Sequence, residues 1–184
     1  MIIGEGIRLR AIEKSDLPNF TRWLNDPEVR CHLEINTPLS MGQEETWYKD
    51  VLTQPLAAQP LGIEIETDDG WLLIGNIGFR NINHRNRSAE VGIFIGEKDY
   101  WNHGYGSAAM RLMLKHGFEN FNYHRIYLNV LETNPRGIRS YQKVGFTEEG
   151  RLRDDCYLEG RYVDVLMMGI LRNEWQERMK GDKA

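Results

Sequence analysis

Gly104 and Gly106 stand one residue apart in "YWNHGYGSAAM" (residues 100–110), directly ahead of small residues that read as the start of a helix. Ordering glycine costs more backbone entropy than ordering any other residue, so a helix start that uses two of them answers to another demand. The first backbone N–H groups of a helix have no partner inside it, and the aligned peptide dipoles place about half a positive charge there. Glycines let a bulky anion reach those groups, and Ser107 adds a hydroxyl. The segment predicts a loop that leads into a helix and holds a pyrophosphate. Tight packing alone would also use such glycines.

The surrounding pattern gives this loop a fold. "GIRLRAI" alternates apolar and polar residues, so 6–12 is a predicted strand. Ser15 is the expected cap of a helix over 16–25, and Asp26-Pro27 opens a shorter one. Ser40 and Gln43 form a capping box ahead of a helix carrying Trp47, Val51 and Leu52. Residues 61–67, the turn Asp69-Gly70 and "WLLIGNIGF" read as a hairpin, and 88–96 as a further strand. A helix over 104–119, a buried strand over 125–131 and a helix from Asn134-Pro135 to Gly145 follow. A last hairpin spans about 150–158 and 161–171, turning at Glu159-Gly160. The expectation is a single α/β (α+β) domain over residues 1–184, with a mixed, mostly antiparallel twisted sheet of about seven strands flanked by helices.

With 41% hydrophobic and 27% charged residues, the 184-residue chain has the composition of a globular domain. No apolar run approaches the roughly 20 residues that span a bilayer, and no signal peptide is read at the front. Two cysteines, Cys31 and Cys156, are too few for a disulfide framework, so the expected location is the cytoplasm. The net charge of −4 speaks against nucleic acid, yet residues 101–143 carry six basic and two acidic side chains. That local surplus suits an anionic ligand. Histidines 32, 84, 103, 116 and 124 form no H-x-x-x-H pair, and no C-x-x-C occurs, so no metal is expected.

Other phosphate loops fit less well. A P-loop needs a Lys and a Ser/Thr that are absent here. Gly104, Gly106 and Ala109 satisfy G-x-G-x-x-[GA], and Glu132 follows the next strand, as in a dinucleotide fold. About seven residues, however, separate the strand end from Gly104, where that fold runs its strand straight into the glycines. "WNHGYG" instead resembles the [QR]-x-x-G-x-[GA] motif of the GNAT superfamily of N-acetyltransferases, with Trp101 in place of Gln or Arg. "NPRGIRSYQKVGF" (134–146) resembles the second signature of that superfamily. "IRLRAIEKSDL" and "GRLRDDCYLEGRYVDVLMMGILRNEW" are similar to the branch of ribosomal-protein alanine and spermidine N-acetyltransferases, so the resemblance covers about residues 5–175.

The resemblance implies acetyl-CoA as co-substrate and a primary amine as acceptor, either a small molecule or a protein N-terminus, with a homodimer as a family-level expectation. It implies that Phe94 and Ile95 present backbone to the pantetheine arm and that Asn102, His103, Gly104, Tyr105, Gly106 and Ser107 hold the pyrophosphate. It further implies that Asn134 approaches pantetheine, that Arg136, Arg139 or Lys143 meets the 3′-phosphate, and that Tyr141 is the general acid. On spacing alone Tyr141 reads as a core aromatic in step with Ile138 and Val144. Glu90 shares a strand face with Gly92, Phe94 and Gly96. A carboxylate on a central strand needs a task or a partner, so Glu90 is either the base for the amine proton or the ion-pair partner of an arginine such as Arg80. Glu34 is the candidate acceptor contact, with Glu44 and Glu45 nearby. A non-catalytic acyl-CoA-binding scaffold and a dinucleotide oxidoreductase are the alternative functions.

Overall fold

The computed structural model describes residues 1–33 and 35–181; Glu34 lies outside the described residues. In chain order the elements are β1 (Ile2–Ile3), β2 (Ile7–Ala11), α1 (Leu17–Leu24), α2 (Pro27–Arg30), α3 (Met41–Thr53), β3 (Leu61–Thr67), β4 (Gly70–Asn83), β5 (Ser88–Ile95), α4 (Tyr105–Lys115), β6 (Arg125–Leu131), α5 (Pro135–Val144), β7 (Thr147–Leu158), β8 (Arg161–Leu171) and α6 (Arg172–Gly181). The strands hydrogen-bond in the order β1-β2-β3-β4-β5-β6-β8-β7. The β5·β6 ladder is parallel, while β1·β2, β2·β3, β3·β4, β6·β8 and β7·β8 are antiparallel. Eight strands stand where about seven were expected, because Ile2 and Ile3 pair briefly with Leu9 and Arg8. The final helix α6 also escaped the sequence pattern, since Trp175 is its one buried side chain.

Packing divides the chain into two compact units: Met1–Phe79 with Gly92–Met113, and Arg80–Val91 with the chain from Leu114 onward. In the first unit α1 lays Leu17, Phe20 and Trp23 with Ile12, Val29 and Leu73 into one cluster, with Trp47, Tyr48, Phe94 and Trp101 half-buried against it. In the second unit Leu131, Val163 and Val165 cluster with Cys156 and Leu158. Phe118 and Trp175 stack in a tilted pair 5.3 Å apart.

The entry into α1 corrects the sequence expectation. Ser15 is exposed, and Asp16 takes the capping position instead, its carboxylate accepting the Glu13 N–H at 2.8 Å. Asp16 also receives both guanidinium ends of Arg10, at 2.6 and 2.9 Å. The Arg10 Nε donates to Glu64 at 2.7 Å, and Arg8 donates to the other Glu64 oxygen at 2.6 Å. Two buried carboxylates thus share two arginines across β2 and β3, which holds the Arg10 guanidinium well above its usual pKa. The predicted helix over 104–119 is α-helical only to Lys115 and continues as a π turn through His116–Asn120.

Gly96 ends β5 with its backbone against the Trp23 indole, where an added Cβ would overlap the ring. Gly96→Ala should therefore force Trp23 or β5 to move, at a cost of about 1–3 kcal/mol. Urea unfolding should show a lower midpoint at an unchanged m value. An unaltered midpoint would mean that Trp23 yields freely.

Candidate active site

The glycine loop is built on the end of β5. Trp101 turns its indole back, and Nε1 donates to the Ile95 carbonyl at 2.9 Å. His103 Nδ1 lies 2.9 Å from the Trp101 carbonyl, and its ring stacks on Tyr105 with centroids 6.4 Å apart. Asn102 and Gly104 adopt left-handed backbone, with φ of +65° and +88°. At Gly104 a side chain would be strained, so glycine is required by conformation. Gly106 answers a different demand. An added Cβ there would meet only Ile95, at an ordinary 3.9 Å, so nothing in the protein excludes a side chain. The first helical bond of α4 runs from the Ala108 N–H to the Gly104 carbonyl, so the N–H groups of Tyr105 and Gly106 precede the helical ladder. Bare backbone, a dipole terminus and no side chain together form a candidate anion cradle.

On β5 the predicted residues Phe94 and Ile95 adjoin that loop. The ladder between β5 and β6 joins Ser88–Glu90 to Arg125–Tyr127, and among the described residues it forms no pair beyond Glu90, although β5 continues to Ile95. This leaves the backbone of Phe94 and Ile95 outside that ladder. Gly92 faces open space, with no atom within 4 Å of an added Cβ. Phe94 stands edge-on to Phe20 and Trp23, with centroids 6.2 Å from each.

Glu90 is 3% exposed. Arg80 donates to its Oε1 at 2.6 Å and Asn81 to its Oε2 at 2.7 Å. The arginine partner was foreseen from the alternation of β5. Asn81 was missed, and its signal is local: at φ +50° it is a non-glycine residue in left-handed backbone. The two donors orient both carboxylate oxygens.

On α5, Asn134 is the N-cap: its Oδ1 accepts the Gly137 N–H at 2.9 Å, and Gly137 has no room for a side chain beside it. Arg139 and Lys143 are exposed, while Arg136 is half-buried. Tyr141 is half-buried, edge-on to Phe146 at 6.1 Å. Burial pushes its phenol up to about 12, partly countered by the positive charge of Arg136. No hydrogen bond joins Tyr141 to Glu90 among the described residues.

The shifted phenol carries a testable consequence. Below pH 10 the folded and unfolded chains both keep the Tyr141 proton. Between about pH 10 and about 12 the unfolded chain releases it first, so stability contributed at lower pH is lost as the pH rises through this window. Tyr123 shifts in the same direction, so wild type alone does not isolate the effect. Tyr141→Phe should flatten the fall in unfolding free energy across that window, measured by urea titration at several pH values. Parallel curves would show that the phenol titrates normally.

Comparison with known proteins agrees with this geometry. A family model described as an acetyltransferase (GNAT) domain matches residues 7–147. The uncharacterized N-acetyltransferase p20 of Bacillus licheniformis is 30% identical over 174 residues, spanning 93% of this chain and 96% of that protein. The putative ribosomal N-acetyltransferase YdaF of Bacillus subtilis is 31% identical, spanning 95% of this chain and 96% of that protein. The spermidine N(1)-acetyltransferase of Vibrio cholerae is 36% identical over a shorter stretch, 58% of this chain and 61% of that protein. The crystal structure of spermidine N-acetyltransferase from Vibrio cholerae in complex with CoA and spermine superimposes with a TM-score of 0.84 at 29% identity, covering 94% of this chain and 99% of that one. A family match over most of the chain, two relatives spanning nearly all of it and the anion cradle on β5 and α4 lead to one conclusion: this chain belongs to the GNAT family of acetyltransferases.

Proposed function

We propose that the chain, acting as one catalytic domain, moves an acetyl group from acetyl-CoA to a primary amine. The observation that carries this reading is Gly106, whose missing side chain answers to no atom of the protein and stands at the N-terminus of α4 beside left-handed Gly104. A pyrophosphate fits that donor set: backbone N–H groups and a helix terminus, with the Ser107 hydroxyl in the first turn. Acetyl-CoA would supply an activated thioester. Its pantetheine would take up backbone groups of Phe94 and Ile95, with the Asn134 amide as a further contact. Arg136, Arg139 and Lys143 are the cations offered to the 3′-phosphate.

In the transfer, the amine nitrogen attacks the thioester carbonyl, the C–N bond forms, the C–S bond breaks, and the nitrogen gives up a proton. An alkylammonium has a pKa of about 10.4, so it must first lose a proton to become a nucleophile. Glu90 is the proposed acceptor of that proton, through a water; its oxygens keep free lone pairs beside the bonds from Arg80 and Asn81. Tyr141 serves the departing sulfur. With a phenol at about 12, above the ordinary thiol value of about 8.5, it acts first as a hydrogen-bond donor to the thiolate charge. For the acceptor, the spermidine acetyltransferases among the relatives support a polyamine, and the name of YdaF supports a ribosomal protein.

Acetyl-CoA should raise the melting temperature where NAD and ATP do not, by about 2.7 kcal/mol of stabilisation at a hundredfold excess over its dissociation constant. Gly106→Val should remain folded, since its site has room, yet lose that shift. A variant that keeps the shift would move the ligand to another surface. Glu90→Gln should acetylate slowly at neutral pH and recover as the pH approaches that of the free amine, whereas Tyr141→Phe should lose about 10²-fold without recovery. Release of CoA across an amine panel measures both. An unchanged pH profile for Glu90→Gln, with a lower melting temperature, would leave Glu90 a purely structural ion-pair partner.

A further inference from the structure

We propose that Gly92 sets the acyl-donor range of this chain, and that its missing side chain admits propionyl-CoA and butyryl-CoA alongside acetyl-CoA. The assignment rests on the acetyl-CoA reading above and extends it to the acyl group. Glycine weakens a strand interior, and where it occurs it marks a bulge, a bend or the close approach of a backbone or ligand. At the other strand glycines the protein supplies the reason. An added Cβ would press on Leu73 at Gly62, on the Phe94 carbonyl at Gly75, on Pro60 at Gly78 and on Glu149 at Gly169. Gly70 turns a hairpin with φ of +111°, and Gly150 stands at a bulge of the edge strand β7. Gly92 has none of these reasons. It lies inside β5, an interior strand, its backbone is not left-handed, and no atom comes within 4 Å of an added Cβ. It is nevertheless half-buried.

Strand order says which part of the coenzyme meets this bare place. An added Cβ at Gly106 would meet Ile95, so the end of β5 adjoins the candidate anion cradle. Phe94 and Ile95 are the proposed pantetheine contacts, and Gly92 lies two residues beyond Phe94, about 7 Å along the strand. Glu90, the proposed base, comes two residues later. The chemistry requires the thioester between the arm and the base, and Gly92 holds that place in the order. A site closed around acetyl would hold protein atoms against the terminal methyl, at about 3.5–4.0 Å. A methyl group at the Cβ position of Gly92 meets no such atom, so nothing there stops the chain at two carbons. Phe94, half-buried and next on the same strand face, offers added methylenes an apolar neighbour. A longer donor reacts by the same step. The amine nitrogen attacks the acyl carbonyl, the C–N bond forms, the C–S bond breaks with its electron pair on sulfur, and the nitrogen's proton passes to the proposed base.

The test measures kcat/KM for acetyl-, propionyl- and butyryl-CoA, with spermidine as acceptor, in wild type, Gly92→Ala and Gly92→Val. Calorimetric affinities for the three thioesters are taken alongside. Wild type should use and bind both longer donors within tenfold of acetyl-CoA. Gly92→Val should lower the butyryl-to-acetyl ratio at least tenfold in both measurements, with Gly92→Ala between. Gly92→Ala should melt no lower than wild type, because the place has room and glycine is unfavourable in a strand. A lower melting temperature would mean that protein atoms fill the space and would overturn the assignment. So would a wild type that takes butyryl-CoA less than a tenth as well as acetyl-CoA, or a Gly92→Val that weakens all three donors by the same factor. Should Gly92→Val fail to fold, an unchanged ratio in Gly92→Ala overturns the assignment instead. If acetyl-CoA binds and spermidine is not acylated, the binding ratios decide Gly92. If acetyl-CoA does not bind, the transferase reading falls and takes this one with it; if acetyl-CoA is used and the longer donors are refused, only the donor range falls.

Discussion

The hydrogen bond from the Trp101 indole to the Ile95 carbonyl fixes the glycine loop to the strand it leaves. It adds to the bonds that Gly96 and Glu97 donate to the Ile74 carbonyl, and it reaches closest to the left-handed residues Asn102 and Gly104. With it, the loop before α4 is tied to the end of β5 that lies outside the β5·β6 ladder. Trp101 replaces the Gln or Arg of the family motif, and its N–H does a structural task that a polar side chain would otherwise leave to chance.

Buried charge organises the rest. Each of the paired carboxylates locks two pieces of chain: Asp16 accepts the Glu13 N–H while holding Arg10, Glu64 ties β2 to β3, and Glu90 ties β5 to the end of β4. A buried ion pair is weak evidence for stability, because desolvation offsets most of the attraction, and removing one partner is what becomes costly. Such pairs are better read as devices that fix register and orientation. Against this background Glu44 is the exception among the described residues: it is buried with no paired cation.

Much of the site was legible in the sequence because its determinants are local. Two glycines before a helix, Asn134-Pro135 before another, Gly145 after it and the alternation of β5 each depend on neighbours a few residues away, where backbone sterics and helix capping act. Glu90 and its arginine could be anticipated from a strand pattern, since opposite faces alternate strictly. Asn81 could not, because its contribution depends on a left-handed turn of the backbone that asparagine permits without requiring.

The sequence by itself determined the order of the central elements, from β2 to β8, and the turn positions between them, because periodicity and special residues encode these directly. The tertiary structure alone decided how the two glycines differ, Gly104 in left-handed backbone and Gly106 with no crowding atom beside an added Cβ, since that depends on local geometry and on which atoms stand nearby. It also decided the pairing of charges. Arg10 and Glu64 are distant in sequence and meet only through the register of β2 on β3, while the burial of Glu44 follows from how α3 packs. Coulomb interactions and desolvation depend on distance and burial, and neither is written in the spacing of residues along a chain.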